Sequence, residues 1–232
     1  MDIEKLKQYA IEHHKGAFEQ KWGKMWFADV MKPIVDSIIK NEKLREEQEK
    51  KIFYHYLEND RKDTIKFYPM ILELQTGLIL LLCQSYISQV ISMVRHIHSD
   101  LSKIFGVDFS SYPYKKMDLI SNFNPKVNGT EYTEIEVIDA LANYFKHHEE
   151  WGGKISSLTG NSRRTADIVS QIGADLSMAL WSSRNLTICI KRIGVTSLDM
   201  IYIIPGKIDT WKQNIGNQYK DYFSRVPSGS QT

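Results

Sequence analysis

The sequence predicts an all-α helical bundle with an additional N-terminal helical layer, and three features predict it. Between residues 69 and 105, Leu80, Cys83, Ile87, Val90, Val94, Ile97, Leu101 and Ile104 recur at alternating steps of three and four, which places them on one stripe of a helix. Thr133-Glu-Ile-Glu136 has the form of a capping box and opens a second 3.6-period pattern through Ile135, Ile138, Leu141 and Phe145. The six prolines and thirteen glycines gather in a few clusters, so long stretches are free to be helical.

Taken in order, residues 4–22 and 28–40 read as helices, the second with Val30, Ile34 and Ile38 as its inner face. Residues 42–51 are a charge run in which Glu46 and Lys50, and Glu47 and Lys51, stand in the favourable i,i+4 order of a solvated helix face. The central helix is expected over 69–105, with Pro69 in its first turn, Gly106 as its stop, and Ile79, Leu82, Tyr86 and Met93 widening its apolar surface. Residues 106–130, with two prolines, Ser110-Ser111 and turns at Asn122, Asn124 and Asn128, read as a long irregular connection, which in a compact domain is often functional or mobile.

The capped helix closes at Gly152-Gly153, and another starts near Asn161 or Ser162 with Ile168, Ile172, Leu176 and Ala179 as its stripe. Residues 183–204 fit two patterns: Leu186, Ile188 and Ile190 alternate like a strand, and Leu186, Cys189 and Ile193 fit a helix. Helix is preferred because no partner strand is visible. A last amphipathic helix spans 208–225. The division expected is an N-terminal helical extension (1–64), a bundle (65–226) and a disordered tail (227–232), without internal repeats.

Composition sets the outer limits. The 232 residues are 42% hydrophobic and 25% charged, which excludes a natively disordered chain. Thirty basic and twenty-eight acidic side chains leave a net charge of +2, which neither demands nucleic acid nor excludes it, since a basic patch can sit on a nearly neutral protein. Cys83 and Cys189, far apart in sequence, support neither a disulfide framework nor a cysteine zinc site, and Cys83 lies on the apolar stripe as plain core. The N-terminus has no secretory pattern, and the longest unbroken apolar run is only Leu78 to Cys83. The expectation is a cytoplasmic protein without membrane attachment.

The chemistry concentrates on the capped helix. Asp139, Asn143 and His147, at i, i+4 and i+8, form a polar line beside the buried stripe, with Lys146 next to it. An imidazole can move a proton near neutral pH, and an amide and an ammonium can hold non-bridging phosphate oxygens, so the set suits a phosphodiester. The same residues also make an ordinary exposed helix face. Tyr112-Pro-Tyr-Lys-Lys116 places Tyr112 and Tyr114 where rings could stack on unpaired bases, and Lys115 and Lys116 where they could meet phosphate, or else forms a loop anchored by its aromatics. Trp151 either lines a cleft or seals the bundle end. Adjacent histidines at 13–14 and 147–148 diverge on a helix, and no His-Glu-x-x-His, cysteine pair or phosphate-binding glycine loop is present, so neither metal nor cofactor is expected.

Asn143-Tyr-Phe-Lys-His147 resembles the second half of the Arg-Asn-x-x-x-His motif of HEPN domains, the helical family of prokaryotic toxins, antiphage proteins and CRISPR effector nucleases. The order of elements agrees over roughly residues 65–195: a long central helix, a long connection, a shorter motif helix and a further helix. The resemblance implies a four- to five-helix core, homodimerisation that joins two motifs, and metal-independent RNA cleavage through ribose 2′-hydroxyl attack. In that scheme His147 is general acid or base and Asn143 holds the phosphate or fixes the histidine. The motif arginine falls at Ala142, which carries no charge, and losing one such stabiliser costs roughly 10²–10³ in rate. The cations in line to replace it are Arg95 on the central helix, the preferred one, then Lys146, with Arg163 and Arg164 at the start of the next helix as further RNA contacts. Two functions follow from the resemblance. One is an endoribonuclease of a bacterial defence or toxin–antitoxin system, with an RNA substrate and an antitoxin or other partner protein. The other is an inactive bundle that binds protein, nucleotide or RNA as a sensor or scaffold.

Overall fold

A computed structural model describes residues 3–20, 27–54, 61–105, 112–151, 155–177 and 184–223. The protein is all-α: about 78% helical, with no strands and eight α-helices among the described residues. These are α1 (Ile3–Glu19), α2 (Lys32–Tyr54), α3 (Arg61–Phe105), α4 (Lys116–Ile120), α5 (Glu134–His147), α6 (Gly160–Gln171), α7 (Asn185–Cys189) and α8 (Ile203–Phe223). Short 3₁₀ turns at Ile155–Ser157, Ile190–Ile193 and Leu198–Met200 connect the later helices.

Helix α3 is the axis of the molecule, and α1, α2, α5, α7 and α8 pack on it. Its stripe is the core: Leu80, Cys83, Ile87, Val90, Val94, Ile97 and Leu101 are all buried, as the period of their spacing requires, and the Ile104 side chain lies outside the described residues. The Pro69–Lys103 part has the length and hydropathy of a membrane span, but 56% of that window is buried inside the protein. Pro69 lies inside the helix rather than in its first turn, because the helix begins at Arg61. Proline there forgoes one amide bond to the preceding turn while the rest of the ladder continues on either side.

The N-terminal layer is present, with Ile38 buried and Ile34 half-buried against the core as expected, and a departure only at the start of its inner face. Met31, Val35 and Ile38 are buried, whereas Val30 is exposed. A π-helical turn at Phe27–Met31 precedes α2, and its wider winding rotates the following residues against an ideal α-helical count. Residues 28–40 and 42–51 are parts of one rod, within which Arg45 and Glu42 pair at 2.8 Å; the side chains of Lys50 and Lys51 fall outside the described residues. Position 64 lies within α3, and Phe18, Met31, Val35 and Ile38 join the same hydrophobic core as the rest of the chain. The core of the first sixty residues is thus continuous with that of the bundle. Residues 227–232 lie outside the described residues.

Two glycines set helix crossings. A Cβ on Gly77 would collide with the Phe145 ring, so its absence lets α3 and α5 approach closely, and a Cβ on Gly216 would lie 2.6 Å from Cβ of Phe18, where α8 meets α1. The described part of the connection before α5 is well tied down. It contains α4, whose Leu119 and Ile120 are buried, and an antiparallel bridge between Lys126 and Thr133. The indole N–H of Trp211 donates to the Leu119 carbonyl at 2.9 Å, and the Thr133 hydroxyl donates to that of Ile120 at 2.5 Å. Residues 106–111 lie outside the described residues.

The start of α6 agrees with expectation, but the helix stops at Gln171, and Gly173 at φ +104° turns the chain. Leu176 therefore lies beyond it, and Ala179 is outside the described residues. Residues 184–204 form short helical pieces instead of one helix. The buried Glu73 carboxylate holds the first of them, accepting from the Leu186 amide (2.8 Å), the Thr187 amide (2.9 Å) and the Thr187 hydroxyl (2.7 Å). Burial raises the Glu73 pKa despite those three donors.

Candidate functional site

The capping box is real and does more than start α5. Thr133 Oγ1 accepts from the Glu136 amide, and Glu136 Oε2 accepts from the Thr133 amide at 2.8 Å. The other Glu136 oxygen accepts from the Ser121 hydroxyl at 2.8 Å and from the Arg164 guanidinium. One buried carboxylate thus joins the end of α4, the start of α5 and the first turns of α6. Arg164 also lies 5.7 Å over the Tyr132 ring.

One turn further along α5, the Gln84 amide of α3 donates to Asp139 Oδ1 (2.8 Å) and to Asn143 Oδ1 (3.0 Å). Lys116 Nζ lies 2.8 Å from both Asp139 oxygens, and Asn143 Nδ2 donates to Asp139 Oδ2 at 3.4 Å. The line Asp139, Asn143, His147 runs from buried to open: Asp139 is buried, Asn143 half-buried, and the His147 side chain 47% exposed. His147 Nδ1 lies 3.1 Å from Glu150 Oε2. A hydrogen bond to a carboxylate requires the proton on Nδ1, so in the neutral ring Nε2 carries the lone pair.

These residues border a cleft of about 620 Å³ between α4, α5 and α6. Its walls bring together Lys116, Asn143, His147 and Arg164, all chosen from sequence, with Asp139, Glu136 and Glu150. Trp151 forms part of the same wall and is 7% exposed, so it both lines the cleft and closes the bundle end.

The other candidates lie elsewhere. Arg95 Nε donates to the Tyr114 carbonyl at 3.3 Å, eleven residues and so about 16 Å along α3 from the Gln84 that touches Asn143. The preferred replacement for the missing arginine is therefore outside the cleft of its own chain. Tyr114 stacks on His98 at 4.3 Å, and Tyr112 lies 5.5 Å from Tyr219, so both rings fasten their loop to α3 and α8. Lys115 is exposed at the entry to α4. Lys146 is exposed but outside the cleft lining, as expected from the roughly 100° turn between neighbouring helical residues. Arg163 pairs with Asp167 at 3.0 Å on the open side of α6. Ala142 is fully buried, so this position faces the core and not the line of Asn143 and His147.

Sequence reasoning missed Gln84, Glu150 and Glu136 as partners of the site. Gln84 carried a legible signal, an amide directly after the longest apolar run of the chain. Glu150 stands three residues after His147, on the same face. Nothing local announces that Glu136 receives Arg164. Among the described residues no group of three or more histidine, cysteine, aspartate or glutamate side chains could hold a metal. Burial pushes the Cys83 thiol far up and Cys189 to about 12, so neither forms a thiolate near neutral pH. Compared with known protein families, curated proteins and solved structures, the chain matches none of them.

Proposed function

We propose that the protein is a metal-independent endoribonuclease of a bacterial antiphage-defence or toxin–antitoxin system, in which His147 transfers the proton. The carrying observation is the placement of that ring: half exposed on the wall of a cleft, oriented through Nδ1 by Glu150, with Asn143, Lys116 and Arg164 on the same walls. Nε2 takes the proton of a ribose 2′-hydroxyl as that oxygen attacks phosphorus. The P–O5′ bond breaks, the protonated His147 ring returns its proton to the leaving 5′-oxygen, and a 2′,3′-cyclic phosphate remains. Such positioned proton transfer contributes roughly 10²–10⁴ in rate. Lys116 and Arg164 are the cations that face the phosphate, in place of Arg95 and Lys146. The defence setting and a homodimer that joins two motifs rest on the HEPN resemblance of Asn143 to His147.

One observation favours a second reading. Both cleft cations are already paired with carboxylates, and Ala142 is buried, so the cleft suits an inactive bundle that binds RNA or a partner protein. Expression of the wild-type chain and of His147→Ala separates the two. Growth arrest and RNA fragmentation in EDTA by the wild type alone support the nuclease. Equal behaviour of the two chains removes it and leaves the binding bundle.

A further inference from the structure

We infer that the first turn of α6 is a phosphate-binding subsite of the cleft, which seats a phosphate of the RNA beside His147. The inference rests on the proposed reading for the source of the phosphate. Its physical basis is a count of open donors and acceptors.

The buried carboxylates of the cleft are largely occupied, whereas the exposed Glu150 holds only His147 among the described residues. Glu136 takes the Thr133 amide, the Ser121 hydroxyl and Arg164; Asp139 takes Gln84, Asn143 and Lys116; Glu150 takes His147. A carboxylate has about four lone-pair sites, so Glu136 and Asp139 have little left to offer a ligand. The donors are in the opposite state. A guanidinium has five N–H groups and an ammonium three, so Arg164 and Lys116 keep donors after their pairings. The Trp151 indole N–H is buried with no acceptor among the described residues, on a side chain that forms part of the cleft wall.

Helix α6 supplies the rest. It is twelve residues long and begins at the cleft, which Asn161 and Ser162 line. Thr159 stands at its N-cap and makes no side-chain capping bond, and no acidic residue lies in its first turn. Gly160 reaches the helix with φ +56°, a conformation that strains any side chain. The first amides of a helix have no partner within it, and its dipole favours negative charge at that end. An uncapped helix start, an unanswered indole N–H and two cations with spare donors on one cleft are complementary to a phosphate, whose oxygens only accept.

The experiment titrates the full chain with adenosine 3′-monophosphate and with adenosine by calorimetry, alongside thermal unfolding. Ser162→Asp places a carboxylate at the third helical position, where it supports the helix dipole but repels an anion, so loss of binding cannot be ascribed to loss of fold. Expected are binding of the nucleotide and not of adenosine, weakening by about tenfold in Ser162→Asp with an unchanged or higher Tm, and a severalfold weakening in Trp151→Phe, which keeps a ring but loses the N–H. Unchanged affinity in Ser162→Asp, equal binding of adenosine, or no binding at all overturns the subsite. RNA fragmentation is read separately: binding without cleavage removes the nuclease and keeps the subsite, and cleavage with unchanged activity in Ser162→Asp does the reverse.

Discussion

Two regions of this protein carry the same residue types to opposite ends. The loop at Tyr112–Lys115 and the cleft between α4, α5 and α6 both combine aromatic rings with cations, the composition associated with RNA. In the loop, the Tyr114 face lies on His98, Tyr112 meets Tyr219, and Arg95 is bonded to a backbone carbonyl. Stacking and charge are used there to hold a connection in place. In the cleft, carboxylates fix Lys116 and Arg164 without exhausting their donors, and Trp151 keeps an unanswered N–H. On the reading proposed above, the two regions differ in the availability of donors and not in residue type.

The largest effect that tests this contrast is expected from Glu136→Ala. It removes the return half of the capping box and leaves Arg164 without its buried partner, and urea unfolding should report a loss of about 3 kcal/mol. Glu136→Gln, which keeps an acceptor for the Thr133 amide, should lose clearly less. An equal loss would show that charge rather than the cap holds the site together.

Next comes the crossing that positions α5. Gly77→Val forces Phe145 out of its place and should cost about 2 kcal/mol by the same measurement, with the cleft disturbed through the motif helix. The loop side of the contrast is smaller. Tyr114→Ala should lower stability by about 1 kcal/mol and leave binding of adenosine 3′-monophosphate unchanged. Weakened binding in that variant would mean the loop reaches the ligand after all.

The smallest effect is expected from His148, at the end of α5. Burial, partly opposed by Glu149, lowers the His148 pKa below its ordinary 6.5 as the ring packs beside Tyr144. Above that pH both folded and unfolded chains hold it neutral. As pH falls through 6.5 the unfolded chain takes up a proton that the folded one resists, so stability declines toward acid. His148→Gln should flatten that decline in unfolding midpoints measured from pH 7.5 to 5.5, and an unaltered slope would place the ring in a wetter setting.

Much of this was legible beforehand for a definite reason. The stripe of α3 and the box at Thr133 and Glu136 are local patterns, and a helix places residues three and four apart on one face whatever surrounds it. The alignment of Asp139, Asn143 and His147 followed from the same rule. Pro69, Val30 and the end of α6 were misplaced because each turns on a single backbone detail: a proline tolerated within a helix, a π-turn, a glycine at positive φ. Propensity constrains such details weakly.

The sequence by itself determined that the chain folds as helices, which of their faces are apolar, and that an imidazole and an amide share a line on one of them. Only the tertiary structure decided which cations meet that line. Lys116 and Arg164 stand 31 residues before and 17 after His147, and Arg95 stands 52 before it. Helix packing brings the first two to the cleft and leaves the third at the loop. Local spacing fixes a face through short-range backbone geometry, whereas partners far apart in the chain are selected by how the helices bury their apolar stripes against one another.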